Sequence, residues 1–569
     1  MNALQPVYTA ATECQDCYKC IRHCPVKAIK VERGYASIEP DRCIVCGLCV
    51  EACPNGAKKV RNDLGRVEAL FRSGRRVVAS LAPSFVSEFA GVAPGQLIAA
   101  LERLGFSAVS ETALGAQEVS ARCRELLASD KAPVLISSAC PVAVDYIRKY
   151  RPDASRLLTP LLSPMLAHAR LLRAEFGEDI AVVFVGPCIA KKREADAHPE
   201  LVDAALTFED LRGWLDRECI RPAELDGADA EFALRPATSG AFYPIEGGML
   251  EGVRSDTTPA VLMACSGLRG LERSLDGLEE MRPDKPVFLE LLACEGGCVN
   301  GPKAATGVGT VRRRFRVLRY ARAGEEAATG GPIGTTYPPE PPADPAFREA
   351  QIRDVLRSVG KNSFADELNC GGCGYDSCRT FAVAFLAGRA ERRMCVTYMR
   401  KLAEKKTHVL MQKMPSAVVL TDENLRILEC NPSFARFFAP PDTDAEPRAL
   451  ENRRLDELVP FYHLFTSVLE TGEEIPGRDL RFRGRVFHVT VFSVEPHSVV
   501  GGIFRDETQP TVHKEQIIER ARQVIQNNLR TAQQIAYLIG ENAADSEIAL
   551  KAIVDSFSPQ TVGEDGEPE

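Results

Sequence analysis

The segment that decides the fold of the first half reads ELLACEGGCVNGP over residues 290–302. A run of apolar, strand-type residues leads directly into Cys294 and Cys298, which lie among glycines and are followed by Pro302. In α/β folds, ligands bind at the carboxyl ends of strands, where glycine and proline form the turns. The segment therefore predicts an α/β domain with thiolate ligands at the end of a strand.

Two other cysteines occur in the same setting. Cys140 follows the apolar run 134–139, and Cys188 follows the apolar run 182–187. Between residues 67 and 320, strand-type runs alternate with segments of helical periodicity, which is typical of α/β proteins. We therefore expect both cysteines to join the same site. The other cysteines of this stretch are interpreted as small core residues: Cys123, Cys219 and Cys265.

The composition limits the class of protein. A length of 569 residues corresponds to about four domains, and 45% hydrophobic with 26% charged residues excludes wholesale disorder. A net charge of −8 argues against a nucleic-acid or anionic-membrane binder. Without an apolar run of about 18 residues or a signal pattern at the N-terminus, we expect a cytoplasmic protein. The 20 cysteines are then more consistent with metal ligands than with disulfides.

The first 54 residues contain eight cysteines in two C-x2-C-x2-C-x3-C-P runs, the pattern of bacterial two-cluster ferredoxins. In that pattern the fourth cysteine of each run binds the other cluster. The first predicted [4Fe–4S] set is Cys14, Cys17, Cys20 and Cys53, and the second is Cys43, Cys46, Cys49 and Cys24. A pair of zinc sites is the alternative. Such a module transfers single electrons.

The cysteine segments of the α/β stretch resemble the three signature motifs of the [FeFe]-hydrogenase catalytic domain. Residues 137–141 are similar to T-S-C-C-P, 186–194 to M-P-C-x-x-K-x-x-E, and 290–301 to E-x-M-A-C-x-x-G-C-x-x-G. The turn 82–84 also resembles the wall of that family's active-site cavity. The resemblance covers about residues 1–320, with the motifs in order.

This resemblance implies an H-cluster, in which a [4Fe–4S] cluster is joined to a diiron subsite with CO, cyanide and azadithiolate. Its implied [4Fe–4S] ligands are Cys140, Cys188, Cys294 and Cys298. Cys298 would also bridge to the diiron subsite, and Lys191 would donate a hydrogen bond to a cyanide. Pro83, Ser84, Ala139 and Pro187 would surround the same group. The implied reaction is reversible heterolytic splitting of H2, with Cys298 and Lys191 as the catalytic residues.

The chain also departs from the family. Ala139 replaces the cysteine that shuttles protons in the fast enzymes, and the segment 114–123 lacks their pair of glutamates. Gly186 and Leu292 replace two methionines that contact the diiron site. These changes favour slow turnover, or hydrogen binding with little turnover. Two residues of the segment either provide a substitute proton route or are ordinary helix residues: Glu118 and Cys123.

The second half is typical of signalling proteins. A proline-rich linker over 331–347 precedes a C-x2-C-x4-C-x16-C pattern, which resembles a small [4Fe–4S] domain, with a zinc site as the alternative. Its ligands would be Cys370, Cys373, Cys378 and Cys395. The strand, turn, strand and Asn431-Pro432 pattern that follows resembles a PAS sensor domain, with Cys430 in its core. Its ligand is unknown, and His463 and His488 are weak candidates for haem ligands.

The C-terminal segment predicts a helix. Apolar residues at alternating steps of three and four, with the polar Asn528 among them, indicate a coiled-coil seam and favour a homodimer. A helix packed on the PAS domain is the alternative. An acidic tail follows at 563–569. Because the chain has no kinase, phosphatase, nucleotide-loop or helix-turn-helix motif, its output is expected to pass through a partner.

The predicted fold is therefore multidomain, mixed α/β and α+β. The predicted divisions are a two-cluster ferredoxin-like domain (1–66), an H-cluster domain (67–330), the linker (331–347), the small [4Fe–4S] domain (348–407), the PAS domain (408–510) and a helix with an acidic tail (511–569). The predicted cofactors are three accessory [4Fe–4S] clusters and the H-cluster.

The favoured function is a sensory [FeFe]-hydrogenase. One alternative is an iron–sulfur electron-transfer protein without the diiron site, and another is a metabolic ferredoxin-linked hydrogenase. The expected partners are H2, a ferredoxin-like redox protein, a kinase or phosphatase, and the proteins that mature the H-cluster. Neither nucleic acid nor a membrane is expected as a partner.

Overall fold

The computed structural model describes residues 5–129, 133–227, 229–256, 259–322, 331–440, 446–507 and 523–531. Internal contacts divide the chain into two compact units. The first consists mainly of Lys19–Arg348, and the second mainly of Glu349–Leu386 and Ala390–Glu569. The mixed α/β class predicted from the sequence is confirmed by the elements below.

The N-terminal part of the first unit is built from very short elements: β1 (Val7–Thr9), α1 (Lys19–His23), β2 (Ile29–Glu32), β3 (Tyr35–Ile38), α2 (Leu48–Ala52) and β4 (Lys58–Val60). β1 pairs with β4 and β2 with β3, both antiparallel. Cys20 lies in α1 and Cys49 in α2, so each cysteine run passes from a loop into one helical turn. Elements this short bury little apolar surface, which is why such modules usually need a bound metal group.

The rest of the first unit alternates strands and helices. Its elements are α3 (Leu64–Arg72), β5 (Val77–Leu81), α4 (Phe85–Glu88), α5 (Pro94–Arg103), β6 (Ala108–Glu111), α6 (Ala113–Ala128), β7 (Val134–Ile136), α7 (Pro141–Tyr150), α8 (Pro164–Phe176), β8 (Ala181–Gly186), α9 (Ala190–Ala197), β9 (Ala204–Thr207), α10 (Phe208–Arg217), α11 (Gly248–Val253), β10 (Val261–Ser266), α12 (Leu268–Ser274), β11 (Val287–Leu292) and α13 (Thr310–Tyr320).

Two parallel sheets organise this part, in the orders β6-β5-β8-β9 and β10-β11-β7. Every residue of β5, β8 and β11 is buried, as expected for parallel strands covered on both faces. The three cysteine motifs begin where β7, β8 and β11 end. The site is therefore positioned by strand ends, as the sequence predicts.

The proline-rich segment predicted as a linker is held against the first unit, and residues 332–344 are called the strap below. The backbone N–H of Thr335 donates to Pro160 O (3.0 Å), and the hydroxyl of Tyr337 donates to Leu161 O (2.7 Å). Farther along, the carboxylate of Asp344 pairs with Arg42 at 2.7 Å. The strap therefore reaches from the region next to Cys140 to the residue before Cys43.

The second unit begins with α14 (Glu349–Ser358), α15 (Cys378–Leu386) and α16 (Val396–Lys413). It continues with β12 (Ala417–Thr421), β13 (Ile427–Cys430), α17 (Pro432–Phe438), α18 (Pro447–Leu450), α19 (His463–Thr471), β14 (Ile475–Phe482), β15 (Arg485–Glu495) and β16 (Val499–Asp506). The strands form one antiparallel sheet in the order β13-β12-β16-β15-β14. Residues 523–531 are helical, and the rest of the predicted coiled coil lies outside the described residues.

Candidate metal-cluster sites

The thiols of the three hydrogenase-like motifs converge in the first unit. The pKa of Cys294 is raised well above its usual value, first by burial and then by the neighbouring thiols of Cys298, Cys188 and Cys140. The pKa of Cys298 is raised by the same burial and by Cys140 and Cys188. Such mutual effects require the four sulfur atoms to lie close together. The structure thus brings together all four predicted H-cluster ligands.

These thiols fit an iron–sulfur group by their chemistry. Burial raises the pKa of Cys188 to about 11, so in the bare protein the thiol stays neutral at pH 7. A bound metal reverses this, because a coordinating thiol is deprotonated by the charge of the ion. Four sulfur donors around one space, none of them exposed, therefore suit a cationic cluster.

The loop between Cys294 and Cys298 needs a glycine for a geometric reason. Gly297 has φ 109° and ψ 179°, a backbone conformation that is essentially limited to glycine. A Cβ atom there would collide with the carbonyl oxygen of Pro244 and approach the Cα of Ile245 to 2.8 Å. The segment around Pro244 is thus packed directly on the loop, and Val299 N–H donates to Pro244 O at 3.0 Å.

Lys191 is the cation of this pocket. It is buried, and its ammonium donates to Ser163 Oγ (3.0 Å) and to the Glu194 carboxylate (2.6 Å). Its charge lowers the pKa values of Cys188 and Cys298, so it lies near both thiols. The fixed ammonium can donate to a small anionic group in the pocket.

The turn that resembles the cavity wall lies beside the end of β8. Ala82 N–H donates to Val185 O at 2.8 Å, and buried Ser84, directly after Pro83, is the N-cap residue of α4 without a side-chain capping hydrogen bond. Gly186 stands where the family has a methionine, and the ring of Phe184 fills the space next to it. A Cβ atom on Gly186 would lie 2.6 Å from the ring of Phe184, so that ring occupies the space next to the backbone.

Ala139 is partly buried and packs against the apolar core of the first unit, next to the polar residues Ser137 and Ser138. Ala139 N–H donates to Ser137 Oγ (3.2 Å), and Ser138 Oγ donates to Leu161 O (2.8 Å). Glu118 and Cys123 are both buried in α6. Burial raises the pKa of Cys123 strongly, which makes its thiol a poor proton donor.

The motif resemblance assigns no role to Glu290, the first residue of the third motif, which lies inside the buried strand β11. Its carboxylate accepts hydrogen bonds from the backbone N–H groups of Gly247 (2.6 Å) and Met249 (3.1 Å), at the start of α11. Burial raises its pKa to about 7. A charged residue in an otherwise apolar strand was the sequence signal, and its structural role is to hold α11 against the motif.

The second ferredoxin set also comes together. Burial, followed by the thiols of Cys24 and Cys43, raises the pKa of Cys46 to about 12. The pKa of Cys49 is raised by burial and then by the thiols of Cys46, Cys43 and Cys24. These cysteines line one small cavity with apolar neighbours such as Val7. Cys24 therefore groups with the second run and not with its own, as the spacing predicts. For the first set, Cys14, Cys17, Cys20 and Cys53, the spacing alone carries the prediction.

The second ferredoxin set adjoins the H-cluster ligands. Cys46 is close enough to Cys294 to raise its pKa. A Cβ atom on Gly47 (φ +86°) would lie 2.6 Å from Pro302 Cβ and 3.0 Å from Ile189 Cδ1. Only a glycine lets this loop pack so closely on the two motifs, and the contact places the two cysteine sets side by side.

The four cysteines of the second unit also meet. Burial raises the pKa of Cys373 to about 11, with smaller contributions from Cys395, Cys370 and Cys378. The four line one small cavity, in which Cys378 N–H donates to Asn369 Oδ1 at 2.8 Å. Cys378 and Cys395 are buried, whereas Cys370 is exposed.

No three Cys, His, Asp or Glu side chains in the described residues are placed to hold one metal ion. A tetrahedral zinc ion would require sulfurs at about 2.3 Å from a common centre. A four-iron cluster takes one thiolate at each corner, so its ligands are more widely spaced. The cluster assignments therefore depend on the sequence spacing and on the grouping of thiols.

The interior of the five-stranded sheet domain is filled by aromatic rings. Phe434, Phe438 and Phe504 are fully buried and lie within 5.7 Å of each other between ring centroids. His463 is exposed, and His488 pairs with Asp479 at 2.6 Å while 38% of its side chain is exposed. The structure thus places both histidines at the surface, away from where a haem ligand would lie.

Four family models match the chain. Residues 75–302 match the C-terminal domain of the iron-only hydrogenase large subunit, and residues 6–54 match a 4Fe–4S dicluster domain. Residues 366–397 match a putative Fe–S cluster domain, and residues 405–474 a PAS domain.

Individual relatives agree with these matches. The periplasmic [Fe] hydrogenase large subunit of Nitratidesulfovibrio vulgaris is 25% identical over 355 residues, which are 51% of this chain and 84% of that protein. The putative electron transport protein YsaA of Escherichia coli is 38% identical over 65 residues, 11% of this chain and 41% of its own length. A variant of [FeFe]-hydrogenase HydA1 from Chlamydomonas reinhardtii aligns with a TM-score of 0.41 at 18% identity, covering 50% of this chain and 100% of that one.

The chain is a PAS-containing, [FeFe]-hydrogenase-like protein. It contains a ferredoxin-like 4Fe–4S domain, a hydrogenase-like domain, a small Fe–S domain and a PAS domain. The homology supports an oxidoreductase with [4Fe–4S] clusters. No helix among the described residues is both long enough and apolar enough to span a bilayer.

Proposed function

We propose that the protein is a sensory [FeFe]-hydrogenase. It binds or slowly oxidises H2 at an H-cluster and passes the resulting redox state to its PAS and helix segments. The observation that carries this proposal is the convergence of Cys140, Cys188, Cys294 and Cys298, with Cys46 next to Cys294. A site for hydrogen chemistry and an electron acceptor are thus adjacent in one unit.

The residues have distinct roles in this proposal. When bound, the H-cluster supplies reversible heterolytic cleavage of H2. The four cysteines would hold it, and Cys298 would also serve the diiron subsite. Lys191, oriented by Ser163 and Glu194, would donate a hydrogen bond to an anionic ligand of that subsite. The close packing at Gly47 provides a short route for electrons toward Cys46.

Slow turnover follows from the lack of an efficient proton donor next to the site. Ala139 carries a methyl group where a thiol is expected and cannot move a proton. Cys123 is buried, and its high pKa makes it a weak substitute. A site that binds hydrogen but exchanges protons slowly is suited to report the presence of H2 and poorly suited to consume it.

The second unit offers a route for output. Cys395, a ligand of the small Fe–S domain, is the N-cap residue of α16, and the end of α16 is held by the PAS domain. There the fully buried Asn431 donates to Met411 O (3.1 Å) and Ser416 O (2.8 Å) and accepts from Val418 N–H (2.9 Å). A change at the cluster therefore has a continuous helix, α16, through which to reach the PAS core.

The remaining parts of the proposal concern partners and location. Proteins that mature the H-cluster insert the diiron subsite, and a separate kinase or phosphatase receives the signal. We also propose a homodimer through the C-terminal helix and a cytoplasmic location, where thiols stay reduced until they bind iron.

Hydrogen turnover of the matured full-length chain tests the sensory assignment. With dithionite-reduced methyl viologen as electron donor, we expect H2 evolution at least about a hundredfold slower than that of a prototypical [FeFe]-hydrogenase assayed alongside, because efficient general acid catalysis contributes about 10²–10⁴ in rate. Rates equal to the prototype would instead indicate a metabolic hydrogenase.

A further inference from the structure

A buried lysine of the first unit has no carboxylate partner. Lys149 lies in the last turn of α7 with 7% of its surface exposed, and its ammonium donates to Cys43 O at 3.2 Å. Burial lowers its pKa, and Glu340, Cys43 and Asp41 oppose this effect. No carboxylate of the described residues forms an ion pair with it. A buried charge is costly unless it is paired, so this ammonium needs a negative group other than a carboxylate.

A second cation reaches the same carbonyl oxygen. Arg193 lies in α9, and its guanidinium donates to Cys43 O at 2.6 Å. A carbonyl oxygen has two lone pairs and can accept both hydrogen bonds. Cys43 belongs to the second predicted [4Fe–4S] set, so two cations converge on the backbone of one ligand residue.

The other charged groups around these two cations are paired with each other or exposed. Arg148 pairs with Glu340 at 2.9 Å, and Asp145 pairs with Arg193. Arg42, directly before Cys43, pairs with Asp344 of the strap at 2.7 Å. Asp41 is exposed, where solvent and salt screen its charge. Lys149 is therefore the buried cation that these pairs leave without a counterion.

Both cations are placed by helices that begin at the H-cluster motifs. Cys140 is the N-cap residue of α7, and α9 begins two residues after Cys188. The ten residues of α7 span about 15 Å, so the helix reaches from one predicted cluster set to the other. The hydrogenase-like domain, and not the ferredoxin-like domain, thus supplies the charges at Cys43.

An iron–sulfur cluster is the negative group that fits this position. Counted together with its four thiolates, a [4Fe–4S] cluster is an anion, and reduction adds one more negative charge. Its reduction potential depends on net charge, hydrogen bonds and exposure. A fixed cation nearby stabilises the reduced form more than the oxidised form, and this raises the potential.

We propose that Lys149 and Arg193 raise the reduction potential of the second ferredoxin-like cluster, so that it retains an electron received from the H-cluster. The proposal rests on the proposed function, because it takes both groups as present. The cluster gains one electron, and no bond is made or broken. An acceptor that stays reduced suits a sensor, because its state outlasts the reaction that produced it. The cluster in question is the one held by Cys24, Cys43, Cys46 and Cys49.

A redox titration of the full-length chain, loaded with [4Fe–4S] clusters but not with the diiron subsite, tests this proposal. Low-temperature EPR follows the reduced clusters as dithionite lowers the potential. Cys46→Ala identifies the midpoint of the second cluster, because that midpoint is lost or changed. The test variants are Lys149→Gln and Arg193→Gln, and Lys149→Arg keeps the charge. Lys30→Gln is the control, since it removes a half-exposed lysine of the same domain that pairs with Glu32.

We expect each of Lys149→Gln and Arg193→Gln to lower the reduced-to-oxidised ratio of the second cluster about tenfold at a fixed potential, which is a midpoint lower by about 59 mV. Lys149→Arg should restore the parent midpoint, and Lys30→Gln should match it. An unchanged midpoint in both glutamine variants would overturn the proposal. If Lys149→Gln loses iron, the midpoint of Arg193→Gln decides.

Iron analysis and EPR of the parent chain, measured first, separate this proposal from the proposed function. A parent chain in which Cys46→Ala removes no iron and no midpoint has no second cluster, which would contradict the proposed function. A second cluster that is present but keeps its midpoint in the glutamine variants would overturn only the role of Lys149 and Arg193.

Discussion

Each unit contains a set of four cysteines, and the two sets differ in their exposure to solvent. In the first unit Cys140, Cys188, Cys294 and Cys298 follow strand ends and none of them is exposed, and burial is the largest cause of the raised pKa values of Cys188, Cys294 and Cys298. In the second unit Cys378 begins α15 and Cys395 precedes α16, both buried, whereas Cys370 is exposed. The first set therefore leaves no ligand corner exposed and the second leaves one open to solvent, and the predictions below test this contrast.

The largest expected difference concerns loss of a ligand. Cys188→Ser should abolish cluster binding in the first pocket, because Cys188 is not exposed and water has less access to its corner than to that of the exposed Cys370. Cys370→Ser should retain at least about half of its cluster, since serine or water can ligate an exposed corner. Iron analysis and EPR of the full-length variants measure both. Equal losses would contradict the contrast between the pockets.

The next expected difference is in unfolding free energy, because the glycines next to the two cysteine sets are packed differently. Gly297→Ala introduces a side chain into a glycine-only conformation and against Pro244, so we expect the first unit to lose about 3 kcal/mol or more of unfolding free energy. Gly372→Ala places a Cβ atom 2.9 Å from Val396 Cγ2 and 3.7 Å from Cys370 Sγ, both side-chain atoms, and should cost about 1 kcal/mol or less.

Denaturant unfolding followed by Trp214 fluorescence reports on the first unit, because Trp214 is the single tryptophan of the chain and is buried there. Circular dichroism reports on both units. A Gly297→Ala transition that coincides with the parent curve would show that the loop is not constrained as described.

Restoring a proton donor tests why the first pocket turns over slowly. Ala139→Cys should raise the H2 evolution rate at least about tenfold, because a thiol next to the site can act as a general acid. Ala139→Ser is the matched control and should leave the rate near the parent value, since a hydroxyl is a much weaker acid. An unchanged rate in the cysteine variant would place the limiting step elsewhere.

The remaining expected effect is a pH dependence of the stability of the first unit, spread over several pH units. His168 is fully buried between Ser80 Oγ (2.7 Å) and Ser110 Oγ (2.9 Å), and burial lowers its pKa from 6.5 to about 3. Below pH 6.5 the unfolded chain binds a proton that the folded unit does not. His168 therefore removes up to about 1.4 kcal/mol of stability per pH unit as the pH falls from 6.5 toward 3.

His168→Gln should flatten this slope, whatever its effect on stability at neutral pH. Unfolding midpoints by Trp214 fluorescence between pH 7 and pH 5 provide the comparison. The same slope in parent and variant would assign the dependence to other groups.

The sequence predicts the sites that depend on local spacing. The fold class is confirmed, and the structure groups Cys24 with Cys46 and Cys188 with Cys298 as the motifs predict. Spacing succeeds here because a cluster fixes its ligands within a few residues and at strand ends.

Features that depend on tertiary packing were not predictable in this way. The strap was expected to be a linker, because nothing in its composition shows that Tyr337 contacts Leu161. The ring of Phe184 comes to lie beside Gly186 only in the folded strand. The hydrogen bonds of Glu290 join it to residues that are distant in the sequence.

Infrared spectroscopy of the matured full-length protein, under argon and then under H2, tests the central claim most directly. We predict bands of CO and cyanide under argon that shift when H2 is admitted, because the H-cluster proposed to be held by Cys140, Cys188, Cys294 and Cys298 would bind hydrogen. Absence of these bands after maturation, or bands that do not respond to H2, would contradict the account.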